Sequence, residues 1–299
     1  MFFQRTIRKR VTVEGIGIHT GKAARLNFCP APANTGVHFK RTDLKGQPSL
    51  RAHVSNVQAT GYATTLGGPD FSVSTVEHCL STLSALRIDN LTIELDGPEI
   101  PIGDGSALPF YEALSSAGFI ELDYPRQYLY IQDPIFFGDD QKNACVVPYN
   151  GLRISFTIDF PHPKVGHQTL DLDINVNTFA RDIAPARTFG FLKDVQALQS
   201  RGLALGGSLD NAIVLDDEKV LNPEGLRFVD EFVRHKVLDA LGDLVNLGYP
   251  LMGHVRLIRA GHDLTNKFIA KILESKNSYK LVEVGTDPVE AGQLLVPRL

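Results

Sequence analysis

The sequence predicts an α+β protein built from two similar halves, and three observations carry that expectation. Segments with alternating apolar positions gather in two separate stretches of the chain. Each gathering is followed by a helix-period segment, a strand and a second helix. Between them lies a break over 121–127, ELDYPRQ, which sets the expected boundary between a first domain at 1–124 and a second at 125–299. The likeness is one of element order and not of residues, and it implies two α+β layers packed against each other.

In the first half, TIRKRVTVEGIGI, ARLNFCPA and GVHFKRTD alternate between Gly, Pro or Asn punctuation. The N-terminus MFFQRTIRKRVTVEG reads as the first strand, because no apolar run of secretory length follows its basic residues. STVEHCLSTLSAL, over about 74–86, places Val76, Leu80, Leu83 and Leu86 at helical spacing. Residues 90–95 follow as a strand, PEIPIGDGSA as a turn-rich loop, and PFYEALSSAG as a helix ending at Gly118. In the second half QYLYIQDPIFF, NACVVPY and LRISFTIDF read as strands, about 228–247 as a helix, HVRLIRAG as a strand and LTNKFIAKIL as a helix. An insert at about 189–214 departs from the pattern as strand, short helix, Gly-rich turn and strand. Its Gly206-Gly207 pair lacks the Lys-Ser/Thr ending of a phosphate loop, and GIGIHTG at 15–21 misses the dinucleotide spacing.

Composition narrows the function classes. With 299 residues the chain can bury two ordinary cores, and 43% hydrophobic against 21% charged residues describes a soluble globular protein. A net charge of −4 gives no general attraction to nucleic acid, and no stretch approaches the ~20 apolar residues of a membrane span. Cys29, Cys79 and Cys145 show no C-x-x-C spacing, which fits a reducing cytoplasm.

The chemistry starts at RHKVLDALGDL, 234–244. On a helix, Val233, Val237, Leu241 and Leu244 form a core-facing stripe, while His235, Asp239 and Asp243 line its flank at intervals of four. That row is either a solvated edge or, in His235 and Asp239, a pair of metal ligands one turn apart. Earlier, His78 follows Glu77, and Ser74 to Glu77 also matches a capping box. A catalytic zinc site needs three protein ligands and one open position, which His78, His235 and Asp239 would supply. Glu77 and His262 would then be the candidates for moving protons. None of the sequential zinc signatures is present, so the residues alone reach the class of metallohydrolases and stop there.

Six motifs go further. GIGIHTGK at 15–22, STVEHCLSTL at 74–83, PIGDGSALPF at 101–110, ARTFGFL at 186–192, LALGGSLDNAIV at 203–214 and RHKVLDALGDL resemble, in order, the UDP-3-O-acyl-N-acetylglucosamine deacetylases, zinc enzymes of lipid A synthesis. With GHDLTN at 261–266 the resemblance covers nearly the whole chain. It implies two similar domains, each a layer of mostly antiparallel strands packed with helices, the helix layers facing each other. It implies that His78, His235 and Asp239 hold zinc, with iron(II) as a rival in such a donor set. Glu77 would be the general base, His262 the acid oriented by Asp243, and Thr188 a donor to the oxyanion. Lys236 would bring positive charge and His19 would lie at the edge of the site. Phe189, Phe191, Leu192, Leu198, Gly207, Ser208 and Val214, with Val195 and Leu203, would form a passage for the acyl chain. Phe160 and His162, in IDFPHPKVG, would contact the nucleotide, and Pro161 between them has no N–H to donate. The implied substrate is an acylated UDP-N-acetylglucosamine, bound by a monomer in the cytoplasm.

Overall fold

Three consecutive charges decide how the chain begins. Arg8, Lys9 and Arg10 are exposed, and no buried face can take them in sequence. The stretch expected as one N-terminal strand is therefore two, β1 (Phe3–Ile7) and β2 (Val11–Ile16), and they belong to different sheets. The structure, a computed structural model, describes residues 2–283, so the end of the expected second domain, 284–299, lies outside the described residues.

After β2 come β3 (Ala23–Pro30), β4 (Val37–Arg41) and β5 (Ser49–Arg51), then three short strands, β6 (Val57–Ala59), β7 (Thr65–Gly67) and β8 (Ser72–Val73), in a small sheet of their own. Helix α1 (Glu77–Ala85), strand β9 (Leu91–Leu95) and helix α2 (Leu108–Ala117) follow. The order in the five-stranded sheet is β2-β3-β9-β4-β5, antiparallel except for the parallel pair β4–β9. Alternation sends Leu26, Phe28, Phe39, Leu91, Ile93 and Leu95 to the buried face, where Leu80 and Leu83 of α1 and Phe110 of α2 cover them. Each such fully buried side chain stabilises by roughly 1.5–3 kcal/mol. Helix α2 carries Pro109 in its first turn and stops at Gly118, whose φ of 65° closes the helix end without steric cost.

Helix α1 begins two residues later than the capping pattern predicts. Ser74 pairs with Glu99 in an isolated bridge, Thr75 has a φ of 62°, and Val76 at the N-cap makes no side-chain cap bond. Glu77 is thus not a capping residue.

Where the sequence suggests a break at 121–127, the chain is extended as β10 (Phe119–Pro125), paired antiparallel with β1. Seven strands then form one sheet: β11 (Gln127–Ile131), β12 (Ile135–Gly138), β13 (Asn143–Val147), β14 (Leu152–Phe160), β15 (Gly166–Asp173), β18 (Leu251–Ile258) and β19 (Tyr279–Glu283). Here β18 is antiparallel to β13 and parallel to β14, as β9 is to β3 and β4. Between β15 and β18 lie the short helix α3 (Val176–Thr178), a π-helical turn (Phe179–Ile183), the insert β16 (Phe189–Phe191), α4 (Leu192–Gln199) and β17 (Ile213–Leu215), and then α5 (Glu231–Leu244). Helix α6 (His262–Glu274) separates β18 from β19. The insert has the expected form, and its two strands pair parallel.

Two clusters of buried apolar residues result. One lies under the first sheet with α1 and α2, and the other lies under the second sheet with Val237 and Leu241 of α5 and Phe268 of α6. Helices α1 and α5 pack against each other. They can approach because α5 presents Gly242, where a Cβ would stand 2.0 Å from the carbonyl oxygen of Glu77. No helix among the described residues is long and apolar enough to cross a membrane.

Candidate active site at the meeting of two helices

That close approach puts the first turn of α1 against the middle of α5. Glu77, His78, His235, Asp239 and Asp243 are all buried, as is His262 at the start of α6. The row on α5 is therefore not a solvated edge. Asp239 Oδ1 lies 3.2 Å from His235 Nε2 and 3.7 Å from His78 Nε2, with the two imidazoles edge to face at 4.9 Å.

These distances test whether the trio fits a metal ion. Tetrahedral bonds of ~2.0–2.1 Å place neighbouring donor atoms about 3.4 Å apart, and one donor atom from each of the three residues lies within 4.8 Å of the others. His235 Nδ1 lies 3.0 Å from the carbonyl oxygen of Ala186, which can only accept, so Nδ1 carries a proton and Nε2 is the atom turned toward Asp239. Burial and the neighbouring His235 push His78 down to about 3, so its imidazole is neutral. Burial works against a charge on Asp239, yet His235 and Lys236 hold it well below the usual carboxylate range. Lys236 Nζ donates to Asp239 Oδ2 at 2.7 Å, leaving Oδ1 toward the imidazoles. Two imidazoles and one carboxylate are a donor set that fits a divalent ion such as zinc.

Around the trio stand groups suited to proton transfer. Burial raises Glu77 to about 7, which places a carboxylate base near neutrality. Its Oε2 accepts the Thr64 N–H at 3.0 Å, and its Oε1 lies 3.9 Å from His262 Nε2. Burial works against a charge on His262, but Asp243, 2.8 Å from Nδ1, outweighs it with Glu77 and raises the imidazole to about 9.

A cavity of about 570 Å³ opens onto these side chains. Thr188, Lys236, His19 and Phe160 line it, as do Phe189, Phe191, Leu192, Leu198, Gly207, Ser208 and Val214 of the insert. Val195 lines it too, whereas Leu203 does not. Asp243 stands behind His262 and not in the wall. His162 also lies off the wall: its Nε2 pairs with the Asp216 carbonyl at 2.7 Å and its Nδ1 accepts the Lys164 N–H at 3.1 Å. Its ring packs on Phe191 at 5.5 Å and so backs a residue of the cavity wall.

Two buried acids set the framework. Glu231 accepts the backbone N–H and Nε of Arg187 at 3.0 and 2.9 Å, which ties the residue before Thr188 to the start of α5. Glu99 accepts the backbone N–H groups of His19 and Thr20 at 2.8 and 2.7 Å and fixes the 17–20 loop. Sequence reasoning passed over Thr64 and the lining residues Ile18, Tyr62, Thr75, Ile102, Asp194 and Leu209. Ile18 adjoins His19 inside a quoted motif, but nothing in the pattern marks an isolated Tyr62 as a wall residue.

Comparison with known proteins agrees with this geometry. Residues 4–274 match the family model described as UDP-3-O-acyl N-acetylglycosamine deacetylase. The UDP-3-O-acyl-N-acetylglucosamine deacetylase of Bdellovibrio bacteriovorus is 66% identical over 287 residues, 96% of this chain and 95% of that one. Those of Geobacter sp. strain M21 and Myxococcus xanthus are each 47% identical, over 95% and 93% of this chain and 93% and 89% of their own lengths. A match of this extent, with the buried His-His-Asp trio where its motifs converge, makes the chain a member of the UDP-3-O-acyl-N-acetylglycosamine deacetylase family.

Proposed function

We propose that the chain hydrolyses the N-acetyl group of a UDP-3-O-acyl-N-acetylglucosamine in a zinc-dependent reaction and releases acetate. The observation that carries this reading is the convergence of His78, His235 and Asp239 on one point, with Glu77 and His262 beside it. A divalent ion held by those three residues would acidify a water and polarise the amide carbonyl.

The chain's own groups do the rest. Glu77, with Oε1 free of its backbone bond, takes a proton from the attacking water as the new C–O bond forms. The hydroxyl of Thr188, half-buried in the wall, donates to the carbonyl oxygen as negative charge builds there. His262 delivers a proton from Nε2 to the nitrogen as the C–N bond breaks, while Asp243 holds Nδ1. Lys236, paired with Asp239 and lining the cavity, adds positive charge for the anionic substrate. The apolar wall of the insert receives the acyl chain, and Phe160 with His19 faces the sugar nucleotide.

The shared strand pairing, in which β9 and β18 each follow a ligand-bearing helix and join equivalent neighbours, supports a duplication with domains at 1–124 and 125–299. A site completed within one chain supports a monomer, and the free cysteines fit a reducing cytoplasm.

The test measures zinc content together with acetate release, with Glu77→Ala as the control. Intact protein that holds zinc and turns over, and a variant that holds zinc and does not, is the expected pair. Retained zinc without turnover by intact protein would favour a binding protein of the same fold.

A further inference from the structure

No motif singles out Thr64, yet it touches both ends of the proposed proton path. It is fully buried in the segment entering β7. Its N–H donates to Glu77 Oε2 at 3.0 Å, and its carbonyl accepts the N–H of Val76, directly before α1, at 3.3 Å. Its hydroxyl lies 2.5 Å from Asp243 Oδ1 and 3.3 Å from His262 Nδ1. Asn266 Nδ2 donates to that hydroxyl at 3.4 Å and to the carbonyl of His262 at 2.9 Å.

The Thr64 hydroxyl has one arrangement open to it. A hydroxyl has a single proton; Asn266 offers it only an N–H, and the Asp243 carboxylate can only accept, so the proton points to Asp243 Oδ1. The other oxygen, Oδ2, is taken by His262 Nδ1 at 2.8 Å. With both oxygens bound, the Asp243 carboxylate cannot turn, and the imidazole cannot flip without losing its partner. Nε2 of His262 is thereby left facing Glu77 Oε1, 3.9 Å away.

We propose that Thr64 is a positioning residue that joins Glu77, Asp243 and His262 into one hydrogen-bonded unit, its backbone setting the base and its hydroxyl setting the acid. This rests on the deacetylase reading for its consequence and on geometry alone for its structure. Thr64→Val keeps the shape and the backbone N–H and removes only the hydroxyl. Losing one hydrogen bond to a charged group corresponds to a fall in kcat on the order of 10- to 100-fold, with KM and zinc content at their wild-type values. Thr64→Ser restores the rate.

A second readout is independent of turnover. In zinc-loaded, 15N-histidine-labelled protein, the proton on His262 Nδ1, identified by its absence in His262→Gln, gives a downfield resonance. It moves or broadens in Thr64→Val and holds its position in Thr64→Ser. Should Thr64→Val fail to fold, Asn266→Ala frees the hydroxyl to rotate and shifts the same resonance. An unmoved resonance together with wild-type kcat in Thr64→Val overturns the proposal. An inactive wild type with a resonance that responds to Thr64 overturns the deacetylase reading and leaves the bridge standing.

Discussion

Gly242→Ala is the sharpest probe of how the site is assembled. A methyl at that position would stand 2.0 Å from the carbonyl oxygen of Glu77, 2.7 Å from its carbonyl carbon and 2.8 Å from its Cα. All three atoms are backbone, so no rotamer change relieves the clash, and α1 and α5 must separate by about 1.4 Å or more to reach ordinary contact. The proposed ligands sit on the two sides of that gap: His78 on α1, His235 and Asp239 on α5. A catalytic constellation tolerates displacements of only about 0.5 Å, and a 1 Å misplacement costs on the order of 100-fold in rate. Overpacking of this kind also costs about 1–3 kcal/mol, a fall in Tm on the order of 5 °C for a chain of this size. The assay is zinc affinity by competition with a chromophoric chelator, beside acetate release and thermal melting. Gly61→Ala, at a position where a methyl meets nothing within 4 Å, is the control. Zinc affinity, turnover and melting all equal to wild type in Gly242→Ala would refute the claim that contact between these two helices sets the site.

Three further outcomes are expected. His235→Ala loses the metal by elemental analysis, and a chelator lowers the melting temperature of the wild type but not of this variant; analysis of protein purified without air or added metal decides between zinc and iron(II). Although burial opposes its charge, Asp104 is held below the usual carboxylate range by Ser106 and by Arg227 at 2.8 Å, so its contribution is present above the unfolded value near pH ~4 and is lost as pH falls through the folded one. Acid melts of Asp104→Asn should therefore lose less stability below that point than the wild type does, and parallel curves would count against this. Val214→Phe narrows the acyl passage and should lower kcat/KM for long-chain substrates roughly tenfold or more while sparing short ones; equal losses for both would show that the passage lies elsewhere.

Much of the fold was legible because periodicity survives in a single sequence. The stripe Val233, Val237, Leu241 and Leu244 marks α5, and Pro109 with Gly118 brackets α2. The start of α1 was misread because Ser74 to Glu77 satisfies a local capping pattern that the backbone does not use: Ser74 is drawn into a bridge with Glu99 and Glu77 is turned inward to Thr64. Spacing could pair His235 with Asp239, one turn apart, but could not bring in His78 or His262, whose positions depend on how two sheets are brought together. The three- and two-residue strands between 49 and 73 carry too little alternation to announce themselves, and Thr64 lies among them. His162 has hydrogen bonds that no spacing could announce: Nδ1 accepts from Lys164 in the same turn, while Nε2 pairs with the carbonyl of Asp216, far along the chain.

Because His78 belongs to a helix seated on one sheet and His235 and Asp239 to a helix seated on the other, neither portion of the chain alone carries the whole proposed donor set. During synthesis the amino-terminal portion emerges with its base and one imidazole but nothing to complete the cage. Under the proposed ligand set, tight metal binding would report that the two helices have docked.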